Sequence, residues 1–139
     1  MYKRQITNID ISDVCVERMS KKYPEMKFET MDMTQMTFAP HSFDIVLEKA
    51  TLDSLVVDCQ CPWDFSSPSY QTVRQSLREI KRVLMPGGQF ISITFSQPHF
   101  RVPLLADQEL GWSVEVTKIS VKDSLVDYYL MVCQDGDHR

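Results

Sequence analysis

Four polar residues follow at once on an apolar run: Glu48, Lys49, Thr51 and Asp53 come directly after residues 43–47, FDIVL. The run has the pattern of a strand buried on both faces of a parallel sheet. Its ionisable followers therefore emerge at the carboxyl edge of that sheet, where open α/β folds bind their ligands. The same grammar occurs twice upstream, where Asp10 closes the segment ITNID and Asp32 follows the alternating segment MKFETM. Carboxylates at strand ends accept hydrogen bonds from hydroxyls and amines and can hold a cation. His41 precedes the apolar run and reads as exposed, while His99 beside Pro98 is a weaker candidate for facing a substrate. The cysteines Cys15, Cys59, Cys61 and Cys133 form no CxxC pair. They read as reduced cytosolic thiols rather than a disulfide framework or zinc site, so no metal is expected.

With 139 residues, 43% hydrophobic and 24% charged, the chain has the make-up of one soluble globular domain. No apolar run approaches the ~20 residues that cross a bilayer, and no signal-peptide core is visible, so no membrane partner is expected. A net charge of −4 argues against a general nucleic-acid binder.

The elements that must position these residues follow from pattern. Residues 6–10 read as a short strand. Ser12 caps a helix with Asp13 in its first turn and Val14, Val16, Met19 and Tyr23 along one stripe, ended by Pro24. Residues 26–31 are a second strand and 43–47 a third. Residues 56–67, with Cys59, Cys61, Pro62 and Trp63, show no period and read as a surface loop. Ser67 and Pro68 open the clearest helix, with Tyr70, Val73, Leu77, Ile80 and Leu84 at helical spacing. Pro86, Gly87 and Gly88 stop it, and residues 90–95 form the next strand. After a short irregular helix within 98–108, residues 111–120 and 125–133 read as two strands, the second with Val126, Tyr128, Leu130 and Val132 on one face. Their short link requires an antiparallel pair. Strand and helix alternation closed by such a pair predicts a doubly wound, mostly parallel α/β sheet.

Residues 1–5, MYKRQ, read as a non-native leader, because they match the translation of a common sequencing-library adapter from a GTG start; a genuine short tail is the alternative. The domain is then expected over residues 6–134, with 135–139 as a tail.

IDIS at residues 9–12, FETMDM at 28–33, FDIVLEKATLDSL at 43–55 and VLMPGGQFISIT at 83–94 resemble consecutive segments of class I S-adenosylmethionine-dependent methyltransferases. The group most resembled contains the eukaryotic elongation factor 1A lysine methyltransferases, with the hallmark E-K-G-T-L-D; here it is Glu48-Lys49-Ala50-Thr51-Leu52-Asp53. The resemblance implies a Rossmann-like fold, S-adenosylmethionine as cofactor, a protein lysine as methyl acceptor and an elongation factor as a possible partner. It makes Asp10, Ile11, Asp32, Met33 and Lys49 cofactor-binding residues, with Asp10 on the ribose and Asp32 on the adenine amine. Glu48 and Asp53 become the catalytic acids, which hold or orient the incoming amine directly or through a water. Capping of a helix start explains Asp53 almost as well, and a salt bridge to Glu48 explains Lys49.

The chain departs from the family pattern in two places. None of its glycines, Gly87, Gly88, Gly111 and Gly136, lies near the start, so the family's first strand and glycine-rich turn are missing. That strand lies centrally in the family, between the strand ending at Asp10 and the one ending at Glu48, so the sheet is expected to split there and this fragment to be inactive. Ala50 also stands where the hallmark has glycine. Two other functions remain open at this point: a non-catalytic partner that keeps the fold, or another group transferase or nicotinamide-linked oxidoreductase on the same scaffold. An oxidoreductase has no use for the E-K-x-T-L-D string.

Overall fold

The computed structural model describes residues 5–59, 61 and 64–136. Most of the expected leader, the loop residues Pro62 and Trp63, and the last three tail residues lie outside it. The chain divides into two compact units, one running to Thr37 and the other beginning at Phe38.

In the first unit, β1 (Thr7–Asp10) pairs in parallel with β2 (Lys27–Thr30), and α1 (Asp13–Lys22) connects them. The Ser12 side chain accepts from the Cys15 N–H at 3.3 Å, the expected cap. Asp10 lies opposite Thr30, and the Met31 N–H donates to the Asp10 carbonyl at 2.9 Å. Both strands thus present their closing acids at the same carboxyl edge.

The second unit is a four-stranded sheet in the order β3-β4-β6-β5, built from β3 (Phe43–Lys49), β4 (Leu84–Thr94), β5 (Trp112–Ile119) and β6 (Tyr128–Asp135). β3 and β4 are parallel, whereas β6 runs antiparallel to both β4 and β5. The expected split is present in the pairing: among the described residues β1 pairs only with β2, and β3 only with β4.

One expectation fails at β3. Ile45 and Leu47 are 52% and 62% exposed, so the strand is not buried on both faces. The two are alternate residues of one strand face, and that face is left uncovered, whereas Glu48 on the opposite face is buried. On β6 the fully buried face carries Met131 and Cys133, while Tyr128, Leu130 and Val132 are half-buried.

The core of this unit lies under α3 (Pro68–Val83), where Tyr70, Val73, Leu77, Ile80 and Val83 are all buried. The first four form the predicted apolar stripe, packed towards β4 together with Leu52 and Phe90; Leu84, expected as its last member, is buried as well but opens β4, and Val83 takes the last place on the helix. Ser67 caps the helix by accepting from the Tyr70 N–H, and Pro68 stands at its first position. The Met85-Pro86-Gly87-Gly88 stretch does end the helix, but it already belongs to β4. Phe43 pairs with Leu84 and Ile45 with Gln89, so β4 carries extra residues there as a bulge. Gly87 turns it at φ +76°, and a Cβ on Gly88 would meet the Asp44 and Met85 carbonyl oxygens at 2.9 Å. α4 (Pro98–Leu105) follows β4 and packs near β5.

Candidate active site

The site of the second unit is built where β3 becomes a helix. Its ladder continues to Ala50, whose N–H donates to the Ile93 carbonyl at 2.9 Å. α2 (Thr51–Leu55) starts at the next residue, a reversal for which Ala50 adopts left-handed φ 59°, ψ 10°. A helix start leaves backbone N–H groups without intrahelical partners. Glu48 supplies the acceptor: its Oε2 takes the N–H of Thr51 at 2.8 Å and of Leu52 at 3.2 Å. The other oxygen, Oε1, accepts from the Ser92 hydroxyl. Capping therefore belongs to Glu48, not to Asp53.

Asp53 lies one turn further on and is 7% exposed. Its Oδ1 accepts from Thr94 Oγ1 at 2.6 Å and from Arg101 Nη2 at 2.6 Å. Thr94 in turn accepts the Ser96 N–H at 2.9 Å. Ser92 and Thr94 are alternate residues of β4 and share one face, so a single strand face supplies hydroxyl donors to both acids. Arg101 is 2% exposed. Asp53 Oδ2 and Arg101 Nε and Nη1 are buried without a hydrogen-bond partner among the described residues.

Tyr70 is buried in the same unit, and its hydroxyl is pushed above the usual phenol range, first by burial and then by Cys59, with Arg101 opposing. Lys49 is exposed, and its ammonium lies 5.6 Å from the centre of the Tyr128 ring. It makes no ion pair with Glu48, whose oxygens are taken by the helix start and Ser92. His41 accompanies the opposite end of β3, 2.9 Å from the Leu84 carbonyl oxygen, and the His99 ring packs on Phe100 at 4.1 Å.

In the first unit, Asp10 and Asp32 are exposed carboxylates at adjacent strand ends. Asp10 Oδ1 accepts the Ser12 N–H at 2.8 Å. Asp32 Oδ1 accepts the Thr34 N–H at 2.8 Å and the Thr34 hydroxyl at 2.7 Å, and these bonds hold its carboxyl below the usual carboxylate range. Ile11 is 72% exposed and Met33 is half-buried, so apolar surface adjoins both acids. This donor-accepting, apolar-walled edge fits a ligand with hydroxyls and an exocyclic amine.

The sequence brought Glu48 and Asp53 into view but missed Ser92, Thr94 and Arg101. Arg101 carried a usable signal. It is the single charge in FRVPLL, residues 100–105, and a charge inside an apolar stretch needs a partner when buried.

A family profile described as "Methyltransferase domain" matches residues 1–92. EEF1A lysine methyltransferase 4 of Bos taurus is 46% identical over 112 residues, covering 78% of this chain and 44% of that protein. The Mus musculus protein of the same name is 42% identical over 118 residues, covering 83% and 46%. The eEF1A lysine and N-terminal methyltransferase of Homo sapiens is 36% identical over 122 residues, covering 84% and 17%. The chain thus spans less than half the length of these relatives. Among solved structures, a SAM-dependent methyltransferase from Methanosarcina mazei superposes with TM-score 0.69 at 15% identity, covering 94% of this chain and 82% of that one. N-methyltransferase NodS from Bradyrhizobium japonicum, in complex with S-adenosyl-L-homocysteine, gives TM-score 0.69 at 13% identity, covering 96% and 67%. With the E-K-x-T-L-D string at the strand-to-helix turn and the Rossmann-like fold around it, the chain belongs to the methyltransferase domain family.

Proposed function

We propose that this chain is part of an S-adenosylmethionine-dependent methyltransferase that methylates a lysine of a protein, in the first instance elongation factor 1A. The observation that carries the proposal is Asp53, a buried acid in the family's string that keeps one oxygen without a partner among the described residues. The named activity of the relatives at 42–46% identity supplies the substrate class.

When bound, S-adenosylmethionine supplies a methyl group on a sulfonium, already an electrophile. The protein has to bind, align and exclude water, and alignment alone contributes roughly 7–11 kcal/mol in well-oriented systems. Asp10 accepts from ribose hydroxyls and Asp32 from the adenine amine, with Ile11 and Met33 as apolar wall. Glu48 holds the turn and the start of α2, and through them sets the place of Asp53. Asp53 orients the acceptor amine, which must arrive neutral to be a nucleophile. The unpaired cysteines support a reducing, cytoplasmic setting.

The test is calorimetry of cofactor binding to the full-length protein that contains this chain and to its Asp10→Ala variant, alongside mass spectrometry of elongation factor 1A incubated with both. Loss of the Asp10 acceptor is expected to weaken binding by about 1.5–3 kcal/mol. Unchanged affinity overturns the cofactor assignment, and an unmethylated acceptor overturns the choice of substrate.

A further inference from the structure

We infer that Arg101 is a positioning residue for methyl transfer: with Thr94 it fixes Oδ1 of Asp53 so that Oδ2 is the oxygen left for the acceptor amine, directly or through one water. The inference rests on the function proposed above and deepens it.

A comparison within the chain distinguishes this pair from ordinary scaffolding. Arg78 meets Glu109 with both arms, Nε to Oε1 at 2.8 Å and Nη2 to Oε2 at 2.9 Å. Arg82 meets Glu79 in the same forked manner, with both bonds at 2.8 Å. These are the more exposed pairs, where an unmade hydrogen bond costs least because water can replace it. The Arg101–Asp53 pair has side chains only 2% and 4% exposed, yet makes one bond and leaves Oδ2, Nε and Nη1 unpartnered among the described residues. A pair selected for stability would close the fork, since half-satisfied buried charges are the costly arrangement. Leaving Oδ2 without a partner among the described residues instead keeps an acceptor oriented by two donors on its twin oxygen. Thr94 fixes that oxygen from β4 and Arg101 from α4, so the carboxylate is held between two elements and cannot rotate freely. An N–H donor is what the remaining oxygen lacks, and a primary amine carries it. Arg101 acts through Asp53 and is not assigned contact with the reacting atoms.

The experiment measures transfer to recombinant elongation factor 1A by the full-length protein that contains this chain, with Arg101→Met, Arg101→Lys, Asp53→Asn and the Asp53→Asn/Arg101→Met pair. Arg101→Met is expected to lower kcat by about thirtyfold while the cofactor KM stays within about threefold, because an aligning interaction is lost and cofactor binding is not. Arg101→Lys should recover about tenfold, and the double variant should match Asp53→Asn within about threefold, since residues acting as a unit are not additive. A merely structural arginine would lower thermal stability and cofactor binding together and leave the pattern additive. Arg101→Met at an unchanged kcat, or a double variant far below Asp53→Asn, overturns the inference. If Arg101→Met fails to fold, the comparison of Asp53→Asn with the charge-free pair decides instead. Absence of transfer by the unsubstituted full-length protein removes the proposed function and this inference with it; transfer that Arg101→Met leaves intact removes only the inference.

Discussion

Oε2 of Glu48 lies 2.8 Å from the backbone nitrogen of Thr51, so the last inward acid of β3 caps the helix that follows it. The same carboxylate also receives the Leu52 N–H and the Ser92 hydroxyl. Glu48→Ala strands three donors at a site only 8% exposed, and is expected to cost about 1–3 kcal/mol. Urea denaturation checks this. A midpoint unchanged from the parent would mean that water replaces the carboxylate at no cost.

Ala50 occupies left-handed space at φ 59°. For an L residue with a side chain that conformation is unfavourable by roughly 1–2 kcal/mol, whereas glycine visits it freely. Glycine also enlarges the unfolded ensemble, an opposing effect of roughly 0.4–1 kcal/mol. Ala50→Gly, which restores the family's hallmark residue, should therefore raise stability by about 0.5–1 kcal/mol. A fall in the thermal midpoint would show that the Ala50 side chain makes packing contacts worth more than the backbone strain.

The elements that were legible are those whose periodicity exceeds local noise. α3 repeats its apolar stripe over four turns, and the short link before β6 dictated an antiparallel partner. α2 has five residues, too few for a helical period to register, so the turn after Lys49 was visible as a polar string with Asp53 as the alternative helix cap, a role that Glu48 fills. Pro86, Gly87 and Gly88 signalled a break that the fold uses as a bulge within a strand, because a glycine pair permits both. Asp53 was legible from its place in the string. Its partners were not, since Thr94 and Arg101 lie 41 and 48 residues away and meet it only through the sheet.

Cys133 has no exposed surface, and burial pushes its thiol up to about 12. Cys61 is exposed. At pH 8 a thiol-specific disulfide reagent should modify Cys61 in the native protein and leave Cys133 untouched until urea is added, because the thiolate is the reacting form. The folded state also keeps a proton that the unfolded chain releases near pH ~8.5. Stability from this group is thus intact below that pH and declines as pH rises from there towards 12. Equal labelling of both cysteines in the native state would contradict the buried placement of β6.

Asp32 is ionised below the usual range, first because the Thr34 N–H donates to it and then because the Thr34 hydroxyl does, with slight burial opposing. Thr34→Val removes the hydroxyl and keeps the N–H. The Asp32 titration, followed by carboxyl-carbon NMR, should move part of the way back towards the ordinary value of ~3.9 and no further. A folded pKa below the unfolded one favours the native state above ~3.9, and this contribution is lost as pH falls through the folded value. Asp32 is exposed, so solvent screens the effect and the stability change is small. The larger consequence concerns the proposed cofactor role: an Asp32 already charged throughout the neutral range would accept from an adenine amine without a protonation step. Its contribution to S-adenosylmethionine affinity should be flat from about pH 5 to 8 in both the parent and the Thr34→Val protein. A titration that Thr34→Val leaves unmoved would show that the backbone N–H alone sets the charge, and an affinity that climbs across that window would take Asp32 out of the adenine site.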